Sequence, residues 1–357
     1  MLLIGNGKLV TRDTQLPFLE DGCVAIENGL VVEVGDTAAL RARHPEAEWL
    51  DAQGGVIMPG LINAHNHIYS AFARGLSVKG YSPKGFLDVL DGMWWTLDRR
   101  LTLDMTQASA DATFIDCIEN GVTTVIDHHA GYGAIEGSLF RIAQSAEKYG
   151  VRANLCYEIS DRDGQDKMRA AVQENVDFLK WCEARDPDFI SGMMGMHAQF
   201  TLSDESLAYA MERKPEGAGC HIHVAEGIYD VTQCLKEHGK RPAFRLHDLG
   251  VLGANSICGH CTHVSEAEMD LLAETNTMVS HNPESNMGNA IGCPPVLRMF
   301  HKGILIGLGT DGYTNDMLES YKVANLLHKH KTATPPWPGA RFPPCCLTTT
   351  GACANAS

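Results

Sequence analysis

Three His-x-His pairs stand in this sequence, His65/His67, His221/His223 and His328/His330. With 16 histidines in 357 residues, chance would supply about 0.7 of them. On a strand, alternate residues face one side, so His65 and His67 can aim two imidazoles at a single cation. After the second pair comes Val224-Ala225-Glu226, which sets a carboxylate three residues beyond His223. That spacing suits a proton carrier beside a metal-activated water. The third pair lies on a predicted helix, where residues two apart diverge, and reads as surface. Further polar residues close other β-rich runs: His197 after Met196, His260 after Cys258-Gly259, His281 after Ser280, and Asp311 after Gly309-Thr310. One such histidine is ordinary, but six run ends that carry His or Asp point to a common site.

The elements that must position these residues follow from the β-rich runs at 61–66, 122–127, 151–157, 189–196, 219–225, 255–260, 276–281 and 304–310. Amphipathic segments alternate with them, among them Asp104–Asn120, Ile135–Lys148, Lys167–Glu183 and Ser265–Glu274. Ser265 precedes Glu268 by three residues, as in a capping box. Eight strand–helix alternations predict an α/β fold, a (β/α)₈ TIM-like barrel over 59–330, whose chemistry sits at the C-terminal strand ends. His65 to Asp311 is 247 residues, close to the usual ~250. Residues 1–58 read as a small antiparallel β domain, with Asn28-Gly29 as a type I′ hairpin turn.

The net charge of −15 argues against nucleic acid and anionic membrane surfaces as partners. An apolar fraction of 44% is enough for a large core. No apolar run approaches the ~20 residues of a membrane span. The N-terminus lacks a signal peptide's basic and apolar regions, and the 12 cysteines are scattered, so a cytoplasmic protein with reduced thiols is expected. The expected partner is a small molecule, with self-association into a homo-oligomer as a further expectation.

Pro59-Gly60-Leu61-Ile62-Asn63-Ala64-His65-Asn66-His67 resembles the entry motif of the amidohydrolase superfamily. The pieces His221–Glu226, Gly259-His260-Cys261, Ser280–Asn286 and Gly309–Gly312, with Met93–Asp98, are similar to its aminohydrolase branch, which includes guanine, adenosine-analogue and s-triazine aminohydrolases. This resemblance implies one divalent cation, Zn²⁺ with Fe²⁺ as the alternative, on His65, His67, His223 and Asp311. Two-metal relatives use a carboxylated lysine, commonly on strand four, and residues 189–200 contain no lysine. The implied reaction is hydrolytic deamination of a small aminated heterocycle. Asp311 takes a proton from the activated water, Glu226 protonates the ring nitrogen, and His260 holds the oxygen as the tetrahedral centre forms. His197, His281 and Trp95 are implied substrate contacts, while His221 reads as structural. Tyr69 and Trp94 could stack on a planar ring, and Glu158 and Arg162 read as substrate contacts or as surface-loop residues.

Other readings compete. Chlorohydrolase or cyclic amidohydrolase chemistry would use the same activated water with a different bond broken. Cys258-Gly259-His260-Cys261 is a C-x-x-C between a strand and a helix, the setting of a thiol redox site. The Pro-rich tail, 331–357, shows neither helix nor strand period and reads as disordered or as translation in another frame. On that reading the C-terminal part of the family fold is missing and the chain is an inactive fragment.

Overall fold

The computed structural model describes residues 1–332, so the tail from 333 onward lies outside the described residues. The chain divides into two units, the first Met1–Gly60 and the second starting at Leu61.

In the first unit β1 (Leu2–Val10), β2 (Phe18–Glu27) and β3 (Leu30–Asp36) pair antiparallel in the order β3-β2-β1. Asn28 (φ 52°) and Gly29 (φ 79°) are both left-handed, the conformation a type I′ turn requires, and Glu27 faces Leu30 across it. The expectation of an all-antiparallel sheet needs correcting. β4 (Glu48–Asp51) and β5 (Val56–Ile57) both join β1 in parallel, because the helix Thr37–Arg43 carries the chain back over the sheet between β3 and β4. Asp36 caps that helix, accepting from the Ala38 and Ala39 N–H groups.

In the second unit, strands occupy all eight predicted positions. These are β6 (Leu61–Asn66), β7 (Val122–His129), β8 (Arg152–Tyr157), β9 (Ile190–Gly192) with β10 (Met194–Ala198), β11 (Cys220–Val224), β12 (Ile257–His260), β13 (Met278–His281) and β14 (Ile306–Leu308). All pairings among them are parallel. The predicted closed barrel is corrected to two sheets, β6-β7-β8-β9 and β10-β11-β12-β13-β14. The fourth run breaks at Met193, so β9 pairs back to β8 and β10 forward to β11. Single bridges, Ile159 to Met196 and Asn66 to Asp311, mark the two seams.

Period-two burial builds the interior of this TIM-barrel-like fold. Ala64, Ile126, Cys156, Met193, Ile257 and Met278 form one small cluster, drawn from five strands and the Met193 link. Their neighbours Val125, Cys258 and Val279 point the other way, into the large core shared with the helices. The helix Glu266–Glu274 begins with the expected capping box: Ser265 Oγ accepts from the Glu268 N–H and Glu268 accepts from the Ser265 N–H. No helix among the described residues is long and apolar enough to cross a membrane.

Candidate active site

Strand ends bring the predicted residues together. His65 is the penultimate residue of β6, and His67 and Asp311 follow β6 and β14. His223 lies on β11, and all four are buried. Their convergence is fixed by the ring nitrogens that point away from the centre. His67 Nδ1 donates to the His128 carbonyl at 2.6 Å and His223 Nδ1 to the His197 carbonyl at 2.8 Å. A carbonyl only accepts, so each of these rings carries its proton on Nδ1. His65 Nδ1 is held at 2.8 Å by His221 Nε2, which gives His221 its structural part. The three Nε2 atoms then face inward, with His223 3.2 Å from His65 and 3.3 Å from His67.

Nitrogens at that separation need a positive charge among them, a proton or a metal ion, since their lone pairs otherwise repel. Tetrahedral Zn–N bonds of ~2.0–2.1 Å place neighbouring ligand nitrogens roughly 3.3–3.4 Å apart, so the observed spacing suits one ion. Asp311 Oδ1 stands 2.8 Å from His67 Nε2 and 3.8 Å from His65 Nε2. Burial alone would lower His67, yet the Asp311 charge and hydrogen bond raise it to about 9. The donor set therefore attracts a positive charge by its own chemistry.

Two carboxyl groups here are driven in opposite directions. Burial, and then the Asp311 charge, hold Glu226 well above the ordinary carboxylate range. Burial pushes Asp311 up as well, but His67, His260 and Ser285 outweigh it and bring it to about 2. One group keeps a proton and the other stays ionised, which separates an acid from a base. His260 Nε2 lies 3.6 Å from Glu226 Oε1. Its Nδ1 donates to Asn286 Oδ1 at 2.7 Å, and Asn282 Nδ2 donates to its Nε2 at 3.3 Å.

The backbone is strained at these points. Ala225 (φ 49°), His260 (φ 65°) and Asp311 (φ 57°) are left-handed non-glycine residues at the ends of β11, β12 and β14. Such conformations cost roughly 1–3 kcal/mol each and persist where the surroundings over-determine them. Across the seam, Thr310 N and Asp311 N both donate to the His65 carbonyl at 3.0 Å. Asn63 Nδ2 and Asn66 Nδ2 both reach Thr310 Oγ1, at 2.7 and 3.0 Å.

These groups open on a cavity of about 590 Å³ lined by Tyr69, Phe86, Trp94, Trp95 and His197 beside the polar centre. His197 and Trp95 thus both line this cavity. His281 does not line the cavity. It is fully buried, with Nε2 3.1 Å from His328 Nε2, so the expected substrate contact is replaced by a buried pair. His328, expected on the surface, is 1% exposed, because its helix, Met317–Thr332, packs that side inward.

Glu158 and Arg162 are no surface loop either, with side chains 4% and 5% exposed. Arg162 forms a two-contact pair with Asp98, one contact at 3.2 Å, and its guanidinium sits over the rings of Tyr132 and Trp95 at 4.1 and 5.3 Å. Burial pushes Asp98 up to about 7 even against the Arg162 charge. Removing one partner leaves a buried, uncompensated charge, so Asp98→Ala is expected to cost about 3–5 kcal/mol, read as a lowered urea midpoint. Cys258 and Cys261 are both fully buried, and Cys261 Sγ is turned toward the Cys258 carbonyl. Neither sulfur is presented to an incoming thiol, which removes the basis of the redox reading.

Sequence reasoning passed over the end of the second run, Asp127-His128-His129, all fully buried. His128 supplies the carbonyl that fixes His67, and Asp127 Oδ1 accepts from the Ile68 N–H at 2.7 Å. The signal was there in a polar triplet closing a β-rich run.

Residues 56–341 match the Amidohydrolase family, and residues 22–47 match an imidazolonepropionase-like composite domain of bacteria. A 5′-deoxyadenosine deaminase of Methanosarcina barkeri is 30% identical over 339 residues, spanning 94% of this chain and 75% of the relative. A 5-methylthioadenosine/S-adenosylhomocysteine deaminase of Desulforudis audaxviator is 30% identical over 313 residues, 86% of this chain and 70% of the relative. Among solved structures, a zinc-bound adenosine deaminase from Xanthomonas campestris superposes with a TM-score of 0.82 at 24% identity, covering 99% of this chain and 79% of its own. The zinc complex of the atrazine chlorohydrolase TrzN from Arthrobacter aurescens TC1 gives 0.84 at 20% identity, with 100% and 83% covered.

Proposed function

The chain belongs to the amidohydrolase family, and we propose that it is a zinc-dependent aminohydrolase that releases ammonia from a small aminated heterocycle. The observation that carries this reading is geometric: the Nε2 atoms of His65, His67 and His223 converge at 3.2 and 3.3 Å, with Asp311 Oδ1 2.8 Å from His67 and Glu226 reaching the same centre through His260 at 3.6 Å. His65, His67, His223 and Asp311 would hold the cation. When bound, it supplies the Lewis acidity that makes water an effective nucleophile near neutral pH.

The remaining steps belong to the chain's own side chains. Asp311 accepts a proton from the attacking water. Glu226 passes its proton to the ring nitrogen beside the attacked carbon, so that carbon can accept the new bond. The amino group then takes up the proton held by Asp311 and departs as ammonia as its C–N bond breaks, and the hydroxyl proton passes to Glu226 as the carbonyl forms, which restores both carboxyl groups. With Nδ1–H committed to Asn286, neutral His260 has only an acceptor at Nε2, which Asn282 Nδ2 approaches at 3.3 Å. It therefore donates to the developing oxygen only after gaining a proton itself. Trp94, Trp95 and Tyr69 supply flat apolar walls for a ring.

The test is an ammonia-release screen over purines, pterins, triazines and pyrimidines. Zinc-loaded protein is expected to turn over members of the panel. Chelation should abolish that turnover and lower the Tm, and added Zn²⁺ should restore both. Turnover unchanged after complete metal removal would end the proposal.

A further inference from the structure

The deamination scheme leaves one buried acid of the cavity without a task. Glu158 follows β8, is 3% exposed, and lines the same cavity as Glu226 and Asp311. Among the described residues no side-chain donor stands within 3.5 Å of its carboxylate. The nearest nitrogens, His128 Nδ1 at 3.6 Å and His197 Nε2 at 3.8 Å, are long contacts that leave it under-bonded while their proximity favours its charge. His128 directs Nε2 at the Met196 and His221 carbonyls, at 3.0 and 3.1 Å, and its Nδ1 has no hydrogen-bond partner.

His197 is committed in a similar way. Thr201 Oγ1 spends its proton on the Ala198 carbonyl at 3.0 Å, so it accepts from His197 Nδ1 at 2.8 Å. The nitrogen that His197 turns toward Glu158 therefore carries a lone pair. Arg162 could have neutralised the acid, but Asp98 engages its guanidinium. A buried carboxylate whose nearest donors stand beyond 3.5 Å is under-bonded, and a ligand donor would complete its shell.

We propose that Glu158 is a specificity-determining residue, and that the substrate is a heterocycle presenting a second amino or ring N–H group to it. An ionised carboxylate only accepts hydrogen bonds. A ring edge bearing a carbonyl or a bare ring nitrogen at that position leaves Glu158 unpaired, and sites built this way discriminate strongly. The remaining charges of the cavity agree. Among the described residues, and apart from histidines, its one basic lining residue is Arg74, which donates to the Tyr313 carbonyl at 3.2 Å and lies 3.7 Å from Asp116. Phosphate or carboxylate on the substrate would face Glu158, Glu226 and Asp311 with no free basic side chain among the described lining residues. The inference deepens the deaminase reading and rests on it for the place of the ring.

Calorimetry on zinc-loaded protein tests it with three pairs that differ by one amino group: purine and 2-aminopurine, pyrimidine and 2-aminopyrimidine, 1,3,5-triazine and its monoamino derivative; the Glu158 variants separate an amino group held there from one at the reacting carbon. The amino member of at least one pair is expected to bind tenfold or more tightly. Glu158→Leu should erase that difference, and Glu158→Gln, which keeps an acceptor but loses the charge, should reduce it at least threefold. Tm and zinc content report whether each variant is folded, and the Gln variant decides the matter if the Leu variant is not. No difference within any pair, whether or not the rings bind, overturns the proposal, as does a difference that survives in the folded variants. Ammonia release is scored separately, so a preference without turnover would sink the deaminase reading alone, and turnover without preference would sink this one alone.

Discussion

Glu226→Gln in the zinc-loaded enzyme is expected to lower kcat by a factor of about 10²–10⁴, the range a positioned general acid supplies, with zinc content unchanged. The glutamine keeps the volume but has no acidic proton. The three histidines are untouched, since Glu226 lies beyond β11 and meets the centre through His260, 3.6 Å away. Asp311→Asn should behave differently. Asp311 Oδ1 is 2.8 Å from His67 Nε2, and Ser285 Oγ donates to Oδ2, so its charge serves both the cation and the proton transfer. Zinc content and turnover are expected to fall together. Metal analysis beside steady-state kinetics separates the two, and a Glu226→Gln enzyme with normal kcat would remove Glu226 from the scheme.

That contrast depends on residues the sequence made legible for a simple reason. Residues that meet at one end of a set of parallel strands show in the sequence as polar residues after β-rich runs. Hence the convergence of His65, His67, His223, Glu226, His260 and Asp311 could be expected from the chain, while the roles proposed for them came from the family resemblance. Two features were not legible. The break at Met193 between β9 and β10 depends on contact with the neighbouring strand: a Cβ on Gly195 would lie 2.4 Å from the Tyr157 carbonyl oxygen, and no local pattern encodes that. The supporting partners were hidden as well. His281 and His197 look alike in sequence, each closing a run, yet one pairs with His328 in the core and the other reaches the cavity. Which side of a strand end faces the ligand is set by register across the seam, and register is a property of two segments far apart.

Gly309→Ala tests that seam directly and is expected to be among the most disruptive single changes in the chain. A Cβ at Gly309 would lie 2.4 Å from Asn282 Oδ1, 2.7 Å from His65 Cβ and 2.8 Å from the His65 carbonyl oxygen. None of these can yield cheaply. The His65 carbonyl accepts from both Thr310 and Asp311, so moving it loosens the connection between β6 and the end of β14. Displacing His65 Cβ swings one of the proposed ligands. Displacing Asn282 frees the amide that donates to His260 Nε2. Overpacking of this kind costs about 1–3 kcal/mol and sometimes more; here zinc binding should fail as well, because three groups of one centre shift together. Gly253→Ala is the matched control, since a Cβ there meets nothing within 4 Å, and it should stay within about 0.5 kcal/mol of the parent. Urea denaturation with and without zinc reads both quantities. A Gly309→Ala protein that kept the parent's midpoint and its zinc would show that the seam tolerates slack, and the close spacing of the three Nε2 atoms would then need another cause.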